Sequence, residues 1–135
     1  MSNPSIRQSE AVIPYSLGTH QPLYEIKANL FKALAHPARI RVLEILSAQD
    51  TPVPVSDILA ETGLEASLLS QHLAVLKRHG VVRNERAGNA VHYRLAHAAV
   101  AELLLSARTF LADSLAERRD QLDELGSMPP IDAGR

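Results

Sequence analysis

The stretch that decides the fold is SDILAETGLEASLLSQHLAVLKRHGVVRNERAGNAVHYRL, residues 56–95. It predicts a short helix, a turn at Gly63, a second helix and then a two-stranded hairpin. In the second helix Leu69, Leu73 and Leu76 fall on one face at helical spacing, and polar side chains fall on the other. This order of elements is that of a winged helix-turn-helix, in which the second helix enters the DNA major groove and the hairpin, or wing, lies against phosphates.

The polar face of the second helix is the candidate DNA-reading surface. Small hydroxyls and an amide can approach base edges closely, and a lysine and an arginine at the helix end can reach phosphate oxygens. The residues with these roles are Ser67, Ser70, Gln71, Lys77 and Arg78. An ordinary amphipathic helix also carries a solvated polar face, but the glycine turn before this helix and the hairpin after it favour DNA binding.

The wing is predicted from alternating apolar residues around a Gly88-Asn89 turn. Its apolar side chains are expected to pack on the helices, because an isolated hairpin is barely stable in water. They are Val82, Val91, Tyr93 and Leu95. Arg86, near the tip, is the best candidate to reach DNA, and Asn89 and His92 are also assigned to the DNA-binding surface. A solvated charge on a hairpin is the alternative explanation of Arg86.

Charge is unevenly distributed along the chain, although 14 basic and 15 acidic residues give a net charge of only −1. Residues 66–94 contain five basic side chains and one acidic side chain, a net charge of +4. Residues 95–135 contain four basic and seven acidic side chains, a net charge of −3. A basic patch on a nearly neutral protein suits salt-sensitive binding to double-stranded DNA.

Length and composition predict one compact, mainly α-helical domain at 21–125, with a flexible tail at 1–20 and a disordered tail at 126–135. The 46% hydrophobic content includes no membrane-spanning run and no secretory signal, so a cytoplasmic protein without a membrane partner is expected. Zero cysteines exclude disulfides and thiolate metal sites. No catalytic motif is visible, so neither an enzyme nor a cofactor is predicted.

Helices are also predicted before the decisive stretch. The first runs from about 22 to 35, and a His-Pro pair ends it, so that the second runs from 37 to about 48. Residues 49–54 are predicted to form a loop, and Ser56 is the predicted N-cap of the third helix.

The last helix is predicted from about 97 to 125, and at 1.5 Å per residue it would span roughly 40 Å. A core of this size cannot cover that length, so its apolar stripe is expected to face a second copy in a homodimer, with the first helix as the other contributor. The predicted interface residues are Leu23, Leu30, Leu103, Leu104, Ala107 and Leu111. A long helix folded back on its own domain is the alternative.

Over residues 30–111 the chain resembles the ArsR/SmtB family of bacterial winged-helix repressors. The matching segments, in the family's order and spacing, are LFKALAHPARIRVLEIL (30–46), VSDILAETGL (55–64), SLLSQHLAVLKRHGVV (67–82) and GNAVHYRL (88–95). The resemblance implies a dimeric repressor that sits on an operator near its own gene and leaves when an effector binds. It also implies that Ser67, Ser70 and Gln71 face bases.

The chain departs from the family at both of its familiar metal sites. The thiolate site uses cysteines at the start of the third helix, where this chain has Val53 and Val55. The other site corresponds to His97, Ala99, Phe110 and Asp113. Two of these four positions offer no metal ligand, so no metal site is predicted.

The effector therefore stays open between an unknown small molecule and a nonstandard metal site. One group of side chains is a candidate for such a metal site: His20 and His97, with Asp113 or Glu102. The alternative to DNA binding is a winged helix whose polar face binds another protein.

Overall fold

The computed structural model describes residues 21–127 and 129 of the chain. The predicted tail at 1–20, which contains His20, and residues 130–135 lie outside the described residues. In chain order the elements are α1 (Leu23–Leu34), α2 (Pro37–Ser47), β1 (Val53–Pro54), α3 (Val55–Thr62), α4 (Ala66–Arg78), β2 (Val82–Ala87), β3 (Ala90–Leu95) and α5 (Ala98–Ser127).

The chain divides into two compact units, the first ending at Ala101 and the second beginning at Glu102. The first unit holds α1 to β3 and the start of α5, and the second holds the rest of α5. The single domain expected at 21–125 stays a prediction. The helix also continues to Ser127, two residues beyond the predicted end. No helix within residues 21–127 is both long and apolar enough to cross a membrane.

Three antiparallel strands form the sheet, in the order β1-β3-β2. Strands β2 and β3 are the predicted wing, with Val82 opposite Leu95 and Ala87 opposite Ala90. Between the last pair lies the predicted Gly88-Asn89 turn, where Gly88 has a φ of 65°. A left-handed residue in a two-residue hairpin loop is the conformation that favours glycine.

Strand β1 was not predicted, and the expected loop at 49–54 is wrong at its last two residues. Val53 pairs with Tyr93 and Pro54 with His92, so β3 becomes the central strand. A two-residue strand shows no alternating pattern, and a proline within it argues against pairing. Proline is tolerated here because β1 is an edge strand, which can leave one backbone position without a donor.

The helix boundaries follow their local chemistry with one exception. Helix α2 begins at Pro37 as predicted, and α3 ends at Gly63, whose φ of 66° is a left-handed C-cap. Ser56 is not the N-cap of α3, because that helix begins at Val55 directly after extended Pro54. Pairing of Pro54 in the sheet therefore sets the helix start, and no side chain caps it.

The core of the first unit lies between α2, α3, α4 and the sheet. Its largest fully buried side chains are Leu43, Ile58, Leu69, Leu76, Val42 and Val82. Leu69, Leu73 and Leu76 are 1%, 2% and 0% exposed, which confirms the predicted packing face of α4. Burial of that face orients the opposite face of α4 toward solvent.

Candidate nucleic-acid interface

The polar face of α4 is open over its whole length. Its predicted DNA-binding residues Ser67, Ser70, Gln71, Lys77 and Arg78 are all exposed. Within the part of the chain that the structure describes, no side-chain hydrogen bond or ion pair engages Ser70, Gln71, Lys77 or Arg78. An amide, a hydroxyl and two cations are therefore available on one side of a rigidly packed helix.

Ser67 differs from the other residues of this face. Its hydroxyl donates a hydrogen bond of 2.7 Å to Oε1 of Glu65, the residue before α4. Contact between Ser67 and a base would require this bond to break. The carboxylate of Glu65 also repels phosphates, so Ser67 is a weaker candidate than Ser70 or Gln71.

The three candidates on the wing differ in exposure. Arg86 and Asn89 are exposed, on β2 and in the turn. His92 is only partly exposed, because it lies on the central strand between Glu85 and Pro54. Its Nδ1 atom is buried and has no hydrogen-bond partner among the described residues. Arg86 and Asn89 are thus the better placed of the three to meet DNA.

A buried histidine on α4, which sequence reasoning did not identify, ties this helix to the junction of α1 and α2. His72 is 5% exposed, and its Nδ1 accepts a 3.2 Å hydrogen bond from the Nε–H of Arg39. A second nitrogen of Arg39 donates to the carbonyl oxygen of Ala33 at 3.0 Å. One guanidinium group therefore links α4 to the end of α1.

The environment of His72 favours its neutral form. Burial lowers the pKa of His72, and repulsion from His36 and Arg39 lowers it further. The ring of His36 lies 4.4 Å from that of His72, and its Nδ1 accepts the backbone N–H of Ala38 at the start of α2. Because Nδ1 of His72 accepts from Arg39, the neutral ring carries its proton on Nε2. That atom is buried without a partner among residues 21–127.

A sequence signal for this burial did exist. His72 lies three residues after Leu69 and four before Leu76, so helical spacing places it on the packing face. Arg39 carried no comparable signal, since its partner is 33 residues away in the sequence.

Neither familiar metal site of the family fits the residues present. Val53 is 6% exposed and packs in the core, and its side chain, like that of Val55, has no atom that can bind a metal. Ala99 and Phe110 offer no ligand either, and Phe110 is 68% exposed. Residues 21–127 contain no group of three potential metal ligands, and both His97 and Asp113 are exposed.

Apolar side chains are exposed along α1 and α5. No residue of α5 is buried, and Leu111 is 58% exposed. Leu103, Leu104 and Leu30 are partly exposed, and Ala107 is exposed. The large side chains with more than half of their surface exposed are Leu23, Tyr24, Phe31, Leu105, Phe110, Leu111, Leu115, Leu122 and Leu125. Soluble monomers seldom expose so many large apolar side chains.

Comparison with known proteins identifies the class of protein to which this chain belongs. A family model described as a helix-turn-helix domain matches residues 34–85. The HTH-type transcriptional regulator Rv0081 of Mycobacterium tuberculosis is 50% identical over 106 residues, which cover 78% of this chain and 91% of the relative. The HTH-type transcriptional repressor SmtB of the same species is 35% identical over 85 residues, covering 63% of this chain and 62% of that protein.

Solved structures agree with this assignment. The crystal structure of Rv0081 matches with a TM-score of 0.67 and 51% identity, covering 72% of this chain and 96% of that one. The solution structure of Mb0332 from Mycobacterium bovis matches with a TM-score of 0.64 and 29% identity, covering 70% and 86%. That protein is described as a homodimeric winged helix-turn-helix DNA-binding domain and a possible ArsR-family transcriptional regulator.

The fold and the relatives together define a winged helix-turn-helix transcriptional regulator. Within that class, the chain belongs to the ArsR/SmtB family, as its sequence motifs predict.

Proposed function

We propose that the protein is a homodimeric repressor that reads an inverted-repeat operator with α4 and the wing. The observation that carries this proposal is the exposed polar face of α4 behind a fully packed apolar face. A reading helix must be held rigidly, because base-edge hydrogen bonds depend on position to within a few tenths of an ångström. Burial of Leu69, Leu73 and Leu76 supplies that rigidity.

The exposed side chains divide into two roles. Ser70 and Gln71, with Ser67 as a weaker third, hydrogen-bond to base edges in the major groove. The second group lies at the end of α4 and on the wing and contacts the phosphate backbone, which sets affinity more than sequence preference. Its members are Lys77, Arg78, Arg86, Asn89 and His92.

The dimer forms through the exposed apolar surfaces of α1 and α5. The named contacts are Leu23, Leu30, Leu103, Leu104, Ala107 and Leu111. Two features support this surface: its exposed large side chains, and the homodimeric state of the Mb0332 domain. A twofold dimer would place two α4 helices about one turn of DNA apart, roughly 34 Å, on an inverted repeat.

The remaining features of the proposal concern ligands and location. The protein acts in the cytoplasm as a non-enzymatic regulator without a cofactor. An effector releases it from the operator, and the absence of ligands at both familiar metal sites favours a small molecule over a metal ion.

A gel-shift experiment on the DNA that flanks the protein's own gene tests the proposal. The flanking fragment should bind at physiological salt at least about a thousandfold more tightly than a scrambled fragment of equal length. Footprinting should show two protected half-sites about one helical turn apart. Equal binding of both fragments would refute sequence reading and support a protein-interaction module instead.

A further inference from the structure

A cleft beside α4 is rich in basic side chains. It has a volume of about 460 Å³ and lies between α1 and the C-terminal part of α4. Lys32, Arg39, Arg78 and His79 line it, together with the amide side chains of Gln21 and Asn29. Among the described residues that line the cleft, none carries a carboxylate. Small-molecule sites fall in the same range of volume, roughly 300–1,000 Å³.

The charges of Lys32, Arg39 and Arg78 are not neutralised by acidic side chains of the described chain. Between residues 21 and 127, no acidic side chain forms an ion pair with Lys32, Arg39 or Arg78. Arg39 uses two of its five N–H groups, for His72 and for the carbonyl of Ala33. The other three N–H groups of Arg39 therefore have no acceptor in the described structure. A guanidinium can donate two parallel hydrogen bonds to a pair of oxygens on a carboxylate or phosphate.

The position of the cleft on α4 separates it from the DNA-reading surface. At about 100° per residue, Val75 and His79 lie between the face of Ser67 and Gln71 and the buried face of Leu76. The cleft thus opens on the flank of the helix, and only Arg78 borders both surfaces. A concave site on this flank fits a small molecule better than the backbone of a DNA duplex that lies across the reading face.

Arg39 connects the cleft to the reading helix. Its guanidinium lines the cleft and also donates the hydrogen bond to His72, which is buried on α4. A ligand that binds Arg39 therefore acts on a side chain that helps to hold α4 in place. The same ligand competes with phosphate for Arg78.

We propose that this cleft binds a small multivalent oxyanion of the carboxylate or phosphate class, and that the bound anion lowers the affinity of the protein for operator DNA. Lys32, Arg39 and Arg78 hold the anion. The effect on DNA rests on the proposed function, whereas binding of the anion does not. Linkage requires that DNA weaken anion binding by the same factor, which for coupled sites is about 5–150-fold.

Calorimetry on the full-length protein without DNA tests the site itself. Pyrophosphate, citrate and succinate are titrated at one fixed ionic strength, with chloride as the balancing salt. At least one probe should bind once per protomer with micromolar affinity, and Lys32→Ala should weaken that binding about tenfold or more. Arg41→Ala is the matched control, since it removes one cation from the same unit outside the cleft and breaks only the exposed 3.7 Å pair with Glu61.

Gel shifts then test the coupling to DNA. The anion that binds should weaken operator binding about tenfold in the wild type and in Arg41→Ala, and should have little effect on Lys32→Ala. Without the anion, Lys32→Ala should bind operator as the wild type does. If Lys32→Ala lowers the affinity for DNA in the absence of any anion, the cleft binds a DNA phosphate, and the proposal is overturned.

The calorimetric result tests the anion site independently of DNA binding. If none of the three probes binds, or if Lys32→Ala and Arg41→Ala weaken binding equally, the anion site is refuted. If an anion binds as expected but no operator is found, the anion site holds and the DNA-reading function fails.

Discussion

His72 makes the stability of the folded protein depend on pH. Its pKa lies below the 6.5 of an ordinary histidine, chiefly because of burial and then because of repulsion from His36 and Arg39. Below pH 6.5 the unfolded chain takes up a proton that the folded protein resists, so the free energy of unfolding falls. This contribution is fully present above pH 6.5 and is lost as the pH drops.

The change His72→Gln tests this account, because glutamine can still accept a hydrogen bond from Arg39 but does not titrate. Thermal unfolding between pH 7.5 and 5.5 should show a smaller decrease in Tm for His72→Gln than for the wild type. His97→Gln, at an exposed histidine in the same unit, serves as the control and should keep the wild-type slope. Parallel slopes for all three proteins would contradict the assignment.

Gln71 and Arg86 should separate sequence preference from affinity. Gln71→Ala is expected to cost about 1–3 kcal/mol at one operator position and to relax discrimination there. Arg86→Ala should weaken binding to all sequences alike and reduce the salt dependence by roughly one unit of slope per half-site. Binding to single-base operator variants at several salt concentrations measures both effects. Similar losses on operator and random DNA for both variants would refute the division.

Single-residue predictions from the sequence succeeded where helical periodicity decided the outcome. Leu69, Leu73 and Leu76 are buried as expected because three residues at this spacing can share only one face. Arg39 was missed because its hydrogen bond to His72 depends on how α2 crosses α4. Local pattern carries no information about such a crossing. The roles of Ser70, Gln71 and Arg86 on DNA stay predictions.

At the scale of elements, Gly63 fixes the turn between α3 and α4. Its φ of 66° is left-handed, and an added Cβ would meet no atom within 4 Å. Gly63→Ala should therefore destabilise the protein by about 1–2 kcal/mol through backbone strain alone. Gly126→Ala is the control, because it adds the same methyl in open space near the end of α5 without a left-handed φ. Urea unfolding should show no destabilisation for Gly126→Ala, and equal losses in both variants would exclude strain at Gly63.

Helix α5 offers a matched pair of leucines for testing the dimer. Leu111 is 58% exposed and lies on the predicted stripe, whereas Leu105 is 61% exposed and lies away from it. Leu111→Glu should shift the protein toward monomer, because it places an unpaired charge in an apolar contact. Leu105→Glu should leave the dimer intact. Sedimentation at micromolar concentration distinguishes these outcomes, and a monomeric wild type would reject the interface.

The type and order of the helices were predictable, whereas one strand and one cap were not. Residues 23–34 and 66–78 are long enough for their periodicity to identify helices. Val53–Pro54 is too short to show any pattern, and its pairing with β3 joins residues about 40 positions apart. The same distant pairing explains why Ser56 failed as a cap, since sheet formation moved the start of α3.

For the whole molecule, the residue types at the two familiar metal sites predict that metal ions do not control DNA binding through either of those sites. Titration of zinc, nickel, cobalt and copper should show no submicromolar site, because Val53, Val55, Ala99 and Phe110 supply no ligand. Gel shifts in the presence of each metal should match those in its absence. Tight binding that releases DNA and disappears in His97→Ala would prove this prediction wrong.

Both outer strands of the sheet resist association with a strand from another chain. β1 is only two residues long and contains Pro54, which has no backbone N–H to donate. β2 carries Arg83, Glu85 and Arg86, and charged side chains discourage edge pairing. The winged domain therefore has built-in protection against edge-to-edge aggregation. The charges of β2 and the shortness of β1 therefore lower the risk that the sheet seeds ordered aggregates when the protein is concentrated.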